Sequence, residues 1–506
     1  MNLSFARRGL LDWRIGAFVL SLIAGGIYAP AMNRVFAADQ LMYFAEVGGH
    51  DSLALGLRHV DYAISRVYWK GDDLLFRPIL FTWLAIANRL FSYHHVWWNM
   101  ANVALHVGVA VALLRLLLAI HPSLLALPAA VLFLVLEPPM ELVLWNHLGG
   151  YLLACLFLAI GLRSFVRRLD GSTTSNAGFA VAFTLACLSY EAMVPIAAAA
   201  ALVLFVKQRR STGGGNAVLL AVPVALYAGL YSFHALHAPR LGYVDRADGR
   251  TPFDLANIGS VLNGIQRMLE AWIRELAMPT ALRLWAAPFE RFGKNFHIAL
   301  SEPFQILNLV VVLLGLFVLA RTASRARVRQ AAPVVLLLII AIFAYAFIIA
   351  FGRSADEVAA ITYYSYVFSV LAVPLVYTLV DFGRISPSMM TVAAAVLCAF
   401  AAVHAAGTVA NVREVRRANR FASLFLTRVI AFVDAHRSEP GFSFAIEPHP
   451  EGVDPIVGLV VGYPSDPGRQ VLQRRVTEII FAPDYTDRDP KYVLSASGDR
   501  VVNRSR

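Results

Sequence analysis

Charge is scarce in this chain: only 15% of its residues are Asp, Glu, Lys or Arg, while 58% are hydrophobic. Soluble domains carry about 25% charged and about 45–50% apolar residues, so an ordinary water-soluble fold is excluded. Cysteine is scarce as well. Cys155, Cys187 and Cys398 each fall inside an apolar run, which leaves neither a disulfide framework nor metal-ligand spacing; they read as small buried hydrophobes. No internal repeat is visible, and no long linker precedes the C-terminal region. Acids are nearly missing from the segments between apolar runs where arginines collect. The net charge of +11 therefore reflects loops at one membrane face rather than a nucleic-acid partner.

What the chain does have is apolar runs of roughly 17–25 residues, long enough to cross a hydrocarbon core. These predict about eleven spans, at 15–31, 95–119, 124–140, 148–166, 178–190, 192–206, 216–236, 304–321, 332–351, 361–380 and 386–409. With the N-terminus inside, the cytoplasmic segments hold fifteen basic residues, from Arg7 to Arg384, against Asp12, Asp170 and Asp381. The first outer loop is balanced by contrast, and this asymmetry sets the orientation. Residues 1–30 have the charge and small-residue exit of a signal peptide, but an uncleaved first span is expected. Residues 178–206 lie between two basic clusters and must cross twice. That puts Ser189, Tyr190 and Glu191 at a turn below the outer surface, lining a cavity. A carboxylate there needs water or a partner, which makes it a functional candidate.

Two outer loops, about 32–94 and about 237–303, are amphipathic. FRPILFTWLAIANRLF (76–91) reads as a helix lying in the interface, and VLNGIQRMLEAWIREL (261–276) as a further helix. The expected fold is an all-α polytopic membrane domain over 1–410, followed by a small soluble α/β domain over 411–506. In the latter a basic helix (411–436) precedes the strand-like runs FSFAIEP, PIVGLVVGYP and TEIIFAP. Span counting puts this domain outside the cytoplasm, whereas Arg413, Arg416, Arg417 and Arg420 favour the cytoplasm.

Several short motifs follow one another in a telling order. AADQLMYF (37–44) comes after the first span, then FRPI with Arg77, and NMANVALH with Asn102 and His106. EPPMELVLW (137–145) contains Glu141, LSYE (188–191) contains Glu191, and GRSADEVAAITYYSY (352–366) contains Arg353. Over roughly 15–410 the chain resembles the GT-C superfamily of integral-membrane glycosyltransferases. Within it, the chain is most similar to bacterial relatives of the transmembrane and tetratricopeptide-repeat-containing O-mannosyltransferases, without their repeats. The resemblance implies Asp39 as the catalytic base, Arg77 and Arg353 as donor-phosphate ligands, and Glu141, Glu191, Asn102 and His106 as acceptor or network residues. It implies a polyprenyl-phosphate-linked hexose, of mannosyl type, as donor, and a glycan, lipid or protein as acceptor. It also implies a bacterial inner membrane with a periplasmic active face. Five positions depart from the pattern. Gln40 replaces a second acid, Asn99 a histidine, Gly149 and Tyr151 an Arg-Asp pair, and Tyr190 a lysine.

Transfer from a polyprenyl phosphate needs a base for the acceptor hydroxyl, fixed donors for the leaving phosphate, and an apolar groove for the lipid. Alone, an aspartate just after a span reads as a cap or a solvated charge; the ordered motifs make Asp39 the base, and a single base in an in-line displacement implies inversion. Arg77 could instead snorkel to headgroups, and Asn102 and His106 could simply bond neighbouring helices. The histidines of SYHHVWWN (92–99) read as part of an interfacial belt, so no catalytic metal and no other cofactor is expected. A secondary transporter, a lipid-linked polysaccharide polymerase or ligase, and a non-catalytic scaffold that binds a lipid-linked glycan remain alternatives. Transporters usually carry internal repeats and midplane sites, unlike the pattern here.

Overall fold

The structure is a computed structural model that describes residues 12–33, 77–91, 94–137, 140–145, 148–171, 175–208, 217–237, 258–277, 325–351, 364–382 and 387–418. Of the C-terminal part it describes 428, 431–432, 435–436, 438–442, 444–446, 491–497 and 500–503. Asp39, Arg353, the span expected at 304–321 and the runs PIVGLVVGYP and TEIIFAP lie outside the described residues.

Apolar runs interrupted by Gly, Pro and basic residues become helices in sequence order. They are α1 (Trp13–Tyr28), α2 (Pro78–Phe91), α3 (His95–Ile120), α4 (Ala126–Val135), α5 (Met140–Leu144), α6 (Gly149–Leu169) and α7 (Ser175–Ser189). There follow α8 (Val194–Gln208), α9 (Ala217–His237), α10 (Ile258–Ala277), α11 (Arg325–Phe351), α12 (Ser365–Phe382) and α13 (Pro387–Ala418). Among the described residues, five helical segments are long and apolar enough to cross a membrane: Trp13–Ala31, His95–Ile120, Gly149–Leu169, Arg329–Ala350 and Ser388–Arg413. Shorter apolar helices at Ala126–Val135, Asn176–Ser189, Leu219–Ser232 and Ser365–Val380 accompany them. The chain is an integral membrane protein by this measure.

The bundle is centred on α6, which lies along α3 on one side and α7 on another, with α2 against its start. The row α1, α3, α4, α13 closes one flank, and α7, α9, α8, α11, α12 the other; α10 packs on α11. Leu113, Leu117, Phe133, Leu152, Leu158, Phe165, Phe183 and Phe368 form a continuous apolar interior. Outward faces are apolar too, as at Phe18, Leu22, Phe343, Val392 and Val396, the pattern of helices solvated by lipid.

Three differences from the sequence reading stand out. The run expected at 124–140 ends its helix at Val135, with Leu136 extended (ψ 135), because Pro138 and Pro139 have no N–H to donate to the Leu134 and Val135 carbonyls. The last long helix continues without a break across 410/411 to Ala418, where Thr408 and Asn411 still reach α4 and its end. Cys155 and Cys187 are buried as expected, but Cys398 is exposed, since only 11% of the most apolar window of α13 is buried.

In the C-terminal part FSFAIEP contributes β1 (Phe444–Ile446). It pairs in parallel with β2 (Tyr492–Ser497), which pairs antiparallel with β3 (Arg500–Asn503). Glu439 ties β2 to the segment ahead of β1, accepting from Lys491 Nζ at 2.7 Å and the Tyr492 hydroxyl at 2.6 Å.

Candidate active site around Arg77 and Glu191

Two glycines decide where α2 sits. A Cβ on Gly150 would fall 2.6 Å from Leu80 Cβ and 2.8 Å from its Cα, and one on Gly149 would fall 2.4 Å from the Trp83 indole nitrogen. Only glycine permits so close an approach. The stripe Leu80, Leu84 and Ala87 is buried as α2 packs on α6 and α7. The helix expected to lie in the interface is thus held in the bundle on this face, with Ile86 and Leu90 exposed.

Arg77, immediately before α2, is thereby delivered to the break between α7 and α8. That break is made by Tyr190, extended at φ −157 and ψ 121, followed by a single 3-10 turn at Glu191–Met193. Arg77 Nε donates to Glu191 Oε2 at 2.6 Å, and Nη2 donates to Oε1, completing a fork on one carboxylate. Arg77 Nη1 donates to the Tyr151 hydroxyl at 2.7 Å. Among the described residues three of the five guanidinium N–H groups are engaged, which leaves about two without a described acceptor. The ring of Tyr151 lies 5.1 Å from the guanidinium carbon and that of Tyr190 4.9 Å from it, within cation–π range. Burial alone would lower the Arg77 pKa, but Glu191, with Tyr151 and Tyr190, outweighs it and holds the group well above its ordinary value. Arg77 is 7% exposed and Glu191 26%, so the carboxylate is the more accessible partner.

Behind this pair an aromatic wall continues. Tyr151 and Tyr190 rings lie 4.4 Å apart, Tyr190 meets Tyr345 at 6.3 Å, and Tyr345 packs edge-on against Phe368 at 5.1 Å. Tyr227 and Tyr231 of α9 stack in parallel at 6.1 Å, and both feel the charge of Glu191. Sequence reasoning passed over Tyr151 and Tyr190 as partners of Arg77. The available signal was that both stand at positions departing from the family pattern.

Asn99, Asn102 and His106 lie on one face of α3, at spacings of three and four, and each holds carbonyls at the end of a neighbouring helix. Asn99 Nδ2 donates to Ala31 and Met32 at 3.2 and 2.9 Å, closing the 3-10 turn (Ala29–Ala31) that follows α1. Asn102 Nδ2 donates to Val143 and Trp145, both at 3.2 Å, closing α5. His106 Nε2 contacts the Leu134 carbonyl at 3.0 Å and Nδ1 the Tyr366 hydroxyl at 2.7 Å. A carbonyl can only accept, so the proton sits on Nε2 and Nδ1 accepts from Tyr366. Helix-end carbonyls otherwise lack intrahelical partners, and in lipid no water replaces them. Thr408 serves the Val135 carbonyl in the same way at 2.8 Å.

The structure therefore brings Arg77 and Glu191 together and sets Asn102 and His106 in interhelical hydrogen bonds. Glu141 lies in α5, next to the carbonyls that Asn102 holds, and its side chain is outside the described set. Among the described residues no three His, Cys, Asp or Glu side chains gather as a metal site.

No family model matches the chain, and no curated protein matches it. Among solved structures it is similar to ArnT from Cupriavidus metallidurans bound to undecaprenyl phosphate. The identity is 12%, with 96% of this chain and 93% of that one covered and a TM-score of 0.47. A likeness this loose assigns no role to any residue here.

Proposed function

We propose that the chain is an inverting glycosyltransferase that moves a hexose from a polyprenyl-phosphate donor to an acceptor hydroxyl at the outer face of a bacterial inner membrane. The observation that carries this reading is the meeting of Arg77 and Glu191. Two motifs far apart in sequence, FRPI and LSYE, supply one partly buried, aromatic-flanked ion pair at a helix break. A purely structural pair would be served as well by any two positions; here both belong to the ordered motif set.

In this reading the acceptor oxygen attacks the anomeric carbon as its bond to the phosphate oxygen breaks. Asp39 takes the hydroxyl proton, and the polyprenyl phosphate leaves with the bonding electrons. Arg77 offers its remaining N–H groups to the phosphate, while Glu191 and the two tyrosine rings fix the guanidinium plane in advance, as preorganised stabilisation requires. Arg353 is a second phosphate ligand, and Glu141, Asn102 and His106 shape the network around the acceptor. The acceptor itself is a glycan, lipid or protein hydroxyl.

The test is transfer from a radiolabelled polyprenyl-phosphate hexose by purified protein in lipid. Asp39→Asn is expected to abolish transfer, and Arg77→Lys, which keeps the charge but loses the fork, to slow it about 10²-fold. Full activity in Asp39→Asn would remove that residue from the mechanism. Concentrative uptake by proteoliposomes without transfer would replace the enzyme with a transporter.

A further inference from the structure

At the opposite end of α3 and α6 from the site, four arginines converge with no carboxylate in ion-pair contact among the described residues. Arg115, near the end of α3, places its guanidinium carbon 4.7 Å from the centre of the Trp13 ring, and Arg14 of α1 lies 5.8 Å from the same ring. Arg163 of α6 lies within electrostatic reach of both Arg115 and Arg167, like charge against like. Among the described residues no carboxylate pairs with Arg14, Arg115, Arg163 or Arg167. The Asp12 carboxylate caps α1, accepting from the Arg14 backbone N–H at 2.9 Å, so one negative charge stands beside four positive ones.

Like charges held together on three packed helices repel one another, and that arrangement is relieved by an anion. An apolar track also starts at the cluster. Trp13, Ile15, Phe18 and Leu22 of α1 are 37%, 47%, 65% and 61% exposed and run away from the arginines along the helix. A free anion has no use for such a track; an acyl chain has.

We propose that this cluster is a binding site for an anionic phospholipid of the adjoining leaflet, with the headgroup phosphate on Arg115, Arg163 and Arg14 and an acyl chain along Phe18 and Leu22. Basic pockets between membrane helices bind such headgroups, and Trp13 sits where an interfacial ring belongs. The site is separate from Arg77 and does not depend on the transferase reading.

The test is native mass spectrometry and thermal unfolding of the full chain in nanodiscs of phosphatidylcholine, with or without phosphatidylglycerol. The wild type is expected to retain phosphatidylglycerol and to unfold at higher temperature when it is present. Each of Arg115→Gln and Arg163→Gln should weaken retention roughly fivefold, whereas Lys207→Gln, at the end of α8, should leave it unchanged. Raising the salt on unaltered protein should erode the shift, which keeps the test valid if a variant fails to fold. Equal retention by wild type and the double variant overturns the proposal. Equal stabilisation by inorganic phosphate in phosphatidylcholine discs overturns the lipid assignment.

Discussion

Arg77 is the residue on which the candidate site turns, because its charge is buried and its partner is not. Among the described residues, removing Glu191 as Glu191→Ala leaves a buried guanidinium with only the Tyr151 hydroxyl and two ring faces. Breaking such a pair costs about 3–5 kcal/mol, expected as a lower midpoint in denaturant titration in mixed micelles. Glu191→Gln keeps an acceptor for Nε and should lose clearly less. Both motif residues were legible in the sequence, since an arginine before an interfacial helix and a glutamate at a forced turn each ask for a reason. Their contact was not legible. It depends on the seating of α2 in a glycine notch and on the break at Tyr190, neither of which any periodicity encodes.

Elements in this protein end on one another. Asn99, Asn102 and His106 make α3 a common terminator for the turn after α1, for α5 and for α4. The motif NMANVALH therefore has a structural use that its sequence spacing leaves open. Helix positions read well from apolar periodicity, with α6, α9 and α12 within a few residues of their expected ranges. Helix ends read less well, because proline pairs and partner carbonyls set them. The docking of α2 gives the sharpest element-scale prediction. Gly150→Ala would drive a methyl into the Leu80 backbone and cost about 1–3 kcal/mol as overpacking. Gly25→Ala in α1 meets nothing within 4 Å and should gain up to about 1 kcal/mol of helix propensity. Thermal unfolding of the two variants side by side checks the contrast.

Across the whole molecule the low charge content has its counterpart in a bundle that is apolar inside and out. Composition made this scale the most legible, because a chain with so few charges has no other solvent to fold in. On α13 the exposed Val392 and Val396 belong to lipid in this reading. Val396→Arg, nearer the middle of that span, is then expected to cost about 2.5–3.5 kcal/mol of insertion, visible as a larger non-inserted fraction in a glycosylation-tag or protease-protection assay. Insertion as efficient as the wild type would mean that this face meets protein or water instead.

The capping role of α3 also imposes an order on synthesis. The carbonyls of Ala31 and Met32 wait for Asn99, which is 68 and 67 positions further along the chain. During that interval α1 has left the ribosome with the turn behind it open. Leu134 and Val143, by contrast, emerge after His106 and Asn102 and find their donors already in place. The nascent chain thus passes through a stage at which the turn after α1 leans on lipid headgroups, water or the insertion machinery until Asn99 arrives.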